Sequence, residues 1–441
     1  MLKNSSVNII GAGLAGCEAA YFLAQNKIHV NLFEMKSIKK TPAQKLNSLA
    51  ELVCSNSLKS TEPLSASGLL KYELSQLNCF LLKVAKNNKV ESGMALSVDR
   101  EKFSNAVTEE IKNNKYINFI EKIVDDIDWS KPTIIATGPL CDDKLFKAIS
   151  LKIGIDNCYF YDAIAPIVSV DSIDMSRAFW ANRYDKGGND YLNCWLNKKE
   201  YEIFVNELVN AKCATLHQFE KLKVFESCMP IEVLAKRGER SLRFGPMKPV
   251  GLSKHVSGEK PYAIVQLRKE NLQATCLNMV GFQTNLLFSE QKRVFSLIPA
   301  LKNAEFLRYG TMHRNSYINA PKCLNQYSQL KKFPNVFVAG QISGVEGYVE
   351  SIASGLLCAI NMLLYLKGED LISFPRTTCI GALINYIAFA DDKNFQPMNA
   401  NYGIIYCDKQ IVDKNIKKQY IFDNSMNEIK KIKEKLNGKL I

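Results

Sequence analysis

Val7-Asn-Ile-Ile-Gly-Ala-Gly-Leu-Ala-Gly16 is the stretch that decides the fold. A four-residue apolar run ends in glycines spaced G-x-G-x-x-G, and Ala15, Ala19, Phe22 and Leu23 then recur on one helical face. Gly11 permits a tight turn, Gly13 lets a pyrophosphate approach the backbone, and Gly16 lets the helix lie close on the strand. Free N–H groups and the dipole at a helix start favour anions, so Gly11, Ala12, Gly13, Leu14, Ala15 and Gly16 form a candidate phosphate cradle. Residues 30–33 read as the second strand of a β-α-β unit, and Glu34 after them is placed to accept hydrogen bonds from an adenosine ribose. Strand, helix and acid in this order predict an α/β protein with a Rossmann-like dinucleotide-binding domain.

Two later stretches narrow the dinucleotide. Thr133-Ile-Ile-Ala-Thr-Gly138 resembles the strand end of many FAD-binding oxidoreductases, which brings Thr137 and Gly138 to the cofactor. Asn335-Val-Phe-Val-Ala-Gly-Gln341 resembles the late strand of such proteins, whose following turn, here Gly340 and Gln341, reaches the ribityl chain. Either alone could be a plain buried strand ending in glycine, but the three in order favour FAD. Because they lie at both ends of the chain, the expected layout has three parts. The first part of the FAD-binding domain covers 1–150. An inserted α+β domain covers 151–330, where short strand signals, Pro and Gly breaks and many arginines occur. The FAD-binding domain returns over 331–441 with a Lys-rich helical tail. Helices are predicted at 69–85, 101–113 and 349–366.

The 441 residues are 47% hydrophobic and 23% charged, enough to bury a core without disulfide staples. The net charge of +13 favours a polyanionic partner, although a solvated basic surface explains the same excess. Thirteen cysteines with no C-x-x-C pair read as reduced thiols in a cytoplasm, not as a disulfide framework or zinc site. With four histidines in all, no metal centre is expected. No membrane span is expected either, since the apolar run 356–366 is interrupted by Asn361 and falls short of the ~18 residues needed.

Cys17, Cys213 and Cys358 lie in helix-like stretches and receive no role. Cys54 and Cys228 differ by context. Cys54 sits in Glu51-Leu-Val-Cys-Ser-Asn-Ser57, whose polar half suits a loop or a helix start. Cys228 sits in Phe225-Glu-Ser-Cys-Met-Pro-Ile-Glu232, followed closely by Lys236, Arg237 and Arg240. A loop thiol near cations can serve as a nucleophile. Taken alone, a packed structural cysteine is the simpler reading of each.

Longer strings carry a resemblance. The opening stretch, Ala50-Glu-Leu-Val-Cys-Ser-Asn-Ser57, Cys228-Met-Pro-Ile-Glu232, Phe244-Gly-Pro-Met-Lys-Pro-Val-Gly251, Gly344-Val-Glu-Gly-Tyr-Val-Glu-Ser351 and Asn394-Phe-Gln-Pro-Met-Asn-Ala-Asn401 are among them. Over nearly its whole length the chain resembles the TrmFO family, the folate- and FAD-dependent tRNA (uracil-5-)-methyltransferases. The resemblance implies that 5,10-methylenetetrahydrofolate supplies a one-carbon unit and that FAD, reduced by NADH or NADPH, supplies electrons. It also implies that Cys228 adds to carbon 6 of the uracil while Cys54 acts as the base or its helper. Gly344, Glu346 and Gly347 are expected beside the cofactor, with Glu346 and Glu350 toward the pterin and Arg314 toward the anionic folate tail. Asn285 is expected in the folate pocket, where relatives often carry His or Arg; the early Thr41-Pro-Ala-Gln44 likewise lacks a His that relatives often have.

An RNA substrate gives the positive charge a use, with Arg237, Arg240, Arg243 and Lys248 as candidate phosphate contacts. The target base must leave its stack to react. The default acceptor is the T-loop uridine of tRNA; the alternative is the same chemistry on a 23S rRNA uridine. Readings from other classes are a flavin-dependent NAD(P)H oxidase and a non-catalytic RNA-binding flavoprotein. Monomer and homodimer both remain open.

Overall fold

In the computed structural model the described residues are 6–41, 43–155, 157–185, 188–214, 229–252 and 260–437. Five short, apolar strands form a parallel sheet in the order Val336–Val338, Thr133–Ile135, Val7–Ile10, Val30–Glu34 and Ile117–Glu121. The strand near residue 336 therefore pairs beside the central ones, Val336 opposite Thr133. This is the Rossmann-like α/β architecture expected from the opening stretch. Helix Leu14–Gln25 packs against helix Tyr348–Lys367, and small residues make the close approach possible. A Cβ added at Gly355 would run into the Ala15 carbonyl, and one at Gly16 into the Gly11 carbonyl. The long helix is apolar enough to cross a membrane by composition, but 83% of its apolar window is buried inside the protein.

A second sheet is antiparallel, ordered Ala178–Trp180, Tyr191–Leu196, Ala263–Lys269, Cys276–Met279, Ile167–Ser169 and Phe306–Arg308. Leu192, Cys194, Val265 and Leu267 bury against helix Lys198–Asn210 through Tyr201, Phe204 and Leu208, forming a core separate from the larger one around the parallel sheet. That helix starts at a reciprocal cap between Asn197 and Glu200. Two long antiparallel strands, Asn157–Ala163 and Met312–Ile318, carry the chain between the two cores.

The helix predicted at 69–85 is two helices, Ala66–Gln76 and Phe80–Asn87. Asn78 takes a left-handed conformation (φ 58°) between them. The buried Glu18 carboxylate, from the first helix of the chain, accepts hydrogen bonds from Phe80 N (2.9 Å) and Leu81 N (2.8 Å). Apolar spacing runs straight through such a break because the cap comes from a distant residue. The tail forms helix Lys414–Leu436, which lays Ile421, Ile429, Ile432 and Leu436 on the larger core.

Candidate active site

The glycine loop opens a cleft that, with the solvent at its mouth, spans about 1100 Å³ of empty space. Gly11, at φ +101°, turns the chain so closely over the next strand that an added Cβ would lie 2.5 Å from the Ala136 carbonyl. At Gly13, the N-cap of helix Leu14–Gln25, an added Cβ would meet no protein atom within 4 Å, and the same holds at Gly138. Gly11, Ala12, Gly13, Leu14, Ala15, Glu34, Thr137, Gly138, Gly340 and Gln341 all line this volume. The Thr137 hydroxyl is buried without a hydrogen-bond partner among the described residues. Open space over two glycines, a helix start and an orphaned hydroxyl together fit the phosphates and ribityl chain of a flavin dinucleotide. Glu34 also braces the loop, accepting from Ala12 N (2.8 Å) through one oxygen and from Met35 N (2.8 Å) and Lys36 N (2.9 Å) through the other.

The late glycine turn reaches the cleft through Gly340 and Gln341, whereas Gly344, Glu346 and Gly347 do not line it. Gly340, Gly344 and Gly347 all have positive φ, which the turn requires. Residue 398 straps it, with Glu346 N donating to Met398 O (2.7 Å) and Met398 N to Gly344 O (2.9 Å). Gln341 donates its side-chain amide to the buried Glu346 carboxylate. Glu350 is fully buried; one oxygen accepts from Lys59 Nζ (3.0 Å) and Ala400 N (3.1 Å), and the other has no partner among the described residues. It lies on the first turn of helix Tyr348–Lys367, between Tyr348 and Ser351, which both line the cleft.

Cys54 lies beside this cleft, whose wall includes the preceding Val53. Its loop is clamped from four directions. The Tyr348 hydroxyl accepts from Cys54 N (2.7 Å) and Ser55 N (3.1 Å). Arg100, the first residue of helix Arg100–Lys112, donates to Leu52 O (2.7 Å) and Cys54 O (3.3 Å) and forms a two-pronged pair with Glu270 at 2.6 and 3.1 Å. Arg308 donates to Val53 O (3.0 Å). The fully buried Asn56 donates to Val98 O (3.0 Å) and Lys269 O (2.9 Å) and accepts from Arg268 Nε (3.0 Å). Burial pulls Arg268 and Arg308 below the usual guanidinium range, whereas Arg100, despite its burial, is raised by Glu270. Burial first and Cys54 second push the Tyr348 phenol far up, so it stays a neutral hydroxyl. Arg100, Arg268, Arg308, Asn56 and Tyr348 had no part in the sequence reading. Only Asn56 and Tyr348, inside quoted strings, carried any signal.

The remaining candidates are dispersed. Cys228 lies outside the described residues. Just beyond it, helix Ile231–Ala235 begins with Ile231 N bonded to Gln283 O (2.7 Å), and Glu232 accepts from Thr284 Oγ1 and Asn285 N, both at 2.8 Å. Asn285 bonds Ala214 through its side chain (3.1 Å) and its carbonyl (2.8 Å). Arg314 pairs with Asp143 (3.1 Å) beside Asp142, which lines the cleft, and stacks on the Tyr159 ring at 4.5 Å. Arg237 and Arg240 are exposed in the turn after helix Ile231–Ala235. Cys17 and Cys358 are packed core thiols, both pushed far up by burial. Cys213, read as helical, instead lies past helix Lys198–Asn210, bridged to Leu286.

A family model described as "Glucose inhibited division protein A" matches residues 6–370. The chain is 51% identical over 431 residues to a protein of Caldicellulosiruptor bescii named "Methylenetetrahydrofolate--tRNA-(uracil-5-)-methyltransferase TrmFO", covering 97% of this chain and 99% of that one. A protein of the same name from Natranaerobius thermophilus is 52% identical over 413 residues, covering 94% and 95%. Among solved structures, Aquifex aeolicus GidA superposes with a TM-score of 0.67 over 96% of this chain and 76% of that one, at 15% identity, a likeness of fold alone.

Proposed function

This chain belongs to the TrmFO family of folate- and FAD-dependent tRNA (uracil-5-)-methyltransferases, and from that premise we propose that it methylates carbon 5 of a tRNA uridine. The one-carbon unit comes from 5,10-methylenetetrahydrofolate, and NADH or NADPH is the electron source. The T-loop uridine is the acceptor, and the reaction runs in the cytoplasm. FAD, when held in the glycine cleft, supplies the reducing equivalents. The observation that carries the reading is the placement of Cys54: the loop bearing it is fastened by the hydroxyl of Tyr348, a residue that also lines the cleft.

A uracil ring is a poor carbon nucleophile until a group adds at carbon 6. The Cys228 thiolate would form that bond, and carbon 5 would then attack the methylene carbon, whose bonds to the folate nitrogens break. Cys54 would take the proton from carbon 5, the hydride equivalent supplied through FAD when it is bound would turn the methylene into a methyl, and loss of the Cys228 thiolate from carbon 6 would restore the ring. The Gln341–Glu346 pair and the unpartnered Glu350 oxygen hold the pterin, Asn285 borders it, and Arg314 meets the folate tail. Arg237 and Arg240 meet RNA phosphates, the sequence-independent part of affinity.

The test is turnover of purified enzyme with FAD, NADPH and methylenetetrahydrofolate on unmodified tRNA and, in parallel, on 23S rRNA, read by mass spectrometry of 5-methyluridine. Methylated tRNA is expected. Product on rRNA alone would move the acceptor, and NADPH consumption without any methylated base would point to an oxidase.

A further inference from the structure

We infer that Arg268 and Arg308 are positioning residues for Cys54, holding its sulfur as a thiolate before any substrate binds. The inference rests on the reading of Cys54 as the base. Three guanidinium groups converge on residues 52–56: Arg100 on Leu52 and Cys54, Arg308 on Val53 and Arg268 on Asn56. All three interact electrostatically with the Cys54 sulfur. Among the described residues Glu270 is the carboxylate bonded there, and its two oxygens are taken up by Arg100.

The other two cations are left with neutral acceptors. Arg268 is 8% exposed and bonds the Asn56 amide oxygen; Arg308 bonds a backbone carbonyl. Among the described residues neither has a carboxylate at ion-pair distance. Both sense the charge of Glu270, but its oxygens are bonded to Arg100, so each loses its water and gains no opposite charge at bonding distance, which is costly. A sulfur anion at Cys54, with which both interact, adds a second opposite charge. Among the described residues the titratable group bonded to the Cys54 backbone is Tyr348, which is neutral and accepts the Cys54 N–H. Cys17 shows the reverse setting: buried, flanked by Glu18 and Glu34 and donating to Ala12 O (3.2 Å), it is pushed far up and stays a thiol. Arg268 and Arg308 come from strands of the antiparallel sheet, Ala263–Lys269 and Phe306–Arg308, whereas Cys54 belongs to the parallel-sheet body. The activated thiol exists only where the two bodies meet.

The experiment is alkylation of FAD-loaded, full-length enzyme by iodoacetamide between about pH 5 and 10, with the Cys54 peptide followed by mass spectrometry and no RNA or folate present. In the wild type the midpoint for Cys54 should lie below the ~8.5 of a free thiol. Arg308→Gln and Arg268→Gln should each move it up by about one pH unit. Arg308→Lys, which keeps the charge, should restore most of the shift. A wild-type midpoint at or above ~8.5, protection of Cys54 at every pH, or midpoints unmoved in both Gln variants overturns the inference. If a Gln variant fails to fold, the wild-type midpoint and the Arg308→Lys comparison decide. Since no methylation is measured, failure here is separate from failure of the tRNA assay.

Discussion

The glycine cleft and the Cys54 clamp sit side by side but are built in opposite ways. The glycine loop of the cleft takes its shape from backbone within one turn: Gly11, Gly13 and Gly16 set it, and one carboxylate, Glu34, braces it. The clamp collects Arg100, Arg268, Arg308 and Tyr348 from four elements, with Tyr348 lying 294 residues from the cysteine it holds. A local device of the first kind forms as soon as strand and helix form. An assembled device of the second kind needs both sheets docked. Cofactor binding and thiol chemistry should therefore separate under mutation.

The strongest way to break that separation is at the sulfurs. Cys228→Ala should remove methyl transfer, a loss of ~10³-fold or more, while the purified protein stays yellow with full flavin content. Cys54→Ala should cost ~10²–10⁴-fold, the range of a missing general base, again with flavin retained. Colourless protein from either variant would mean that cleft and clamp are one unit.

Within the cleft, two glycines can be set against each other. At Gly13 an added side chain meets no protein atom within 4 Å, so Gly13→Val should fold with nearly unchanged apo-protein melting yet lose FAD, because the chain now occupies the phosphate's place. At Gly16 the added carbon meets the Gly11 carbonyl, so Gly16→Val should destabilise the apo-protein itself by about 3 kcal/mol or more. Flavin titration and thermal melting on both variants check this. Retained flavin in Gly13→Val would remove the phosphates from the loop.

How much of this was legible follows the same division. The opening stretch and the strands at 133 and 336 were readable because strand period and glycine spacing lie within short windows. The helix break at Asn78 was not, since its cap is Glu18, from another helix. Cys54 could be singled out by its polar context, but nothing near it in sequence announced guanidiniums arriving from residues 100, 268 and 308. The cations noticed beside Cys228, Arg237 and Arg240, are exposed. Proximity in sequence was a weak guide to which arginines would surround a thiol, because strands carry neighbours apart as often as they bring them together.

A further assembled site sharpens the contrast. The fully buried Glu73 accepts from Cys379 N (2.6 Å), Ile380 N (2.8 Å) and Ser425 Oγ (2.5 Å), joining three helices of the larger core. Burial outweighs these bonds and lifts its carboxyl to about 7, as it does for Glu18. A carboxyl raised on folding binds its proton more tightly in the native state. Stability is therefore greatest below the unfolded value of 4.5 and falls as pH rises through about 7. The wild type should melt higher near pH 5 than near pH 8. Glu73→Gln, which cannot ionise, should flatten that slope by at most about 3 kcal/mol while leaving the Cys54 alkylation profile in place. An unchanged slope would mean that Glu73 is ionised at no cost.

The smallest effect is expected at Asn285, the one candidate in which a family departure and a structural bond coincide. Its amide holds Ala214 O at 3.1 Å from a half-exposed position, while the Ala214 N bond to the Asn285 carbonyl (2.8 Å) does not depend on the side chain. Asn285→Ala should therefore cost only about 0.5–1 kcal/mol, a melting shift of about one or two degrees in a chain of this length. If the amide also borders the pterin, the KM for methylenetetrahydrofolate should rise by roughly threefold with kcat held, the pattern of a lost contact that is equal in ground and transition states. An unchanged KM alongside the small melting shift would confine Asn285 to holding Ala214.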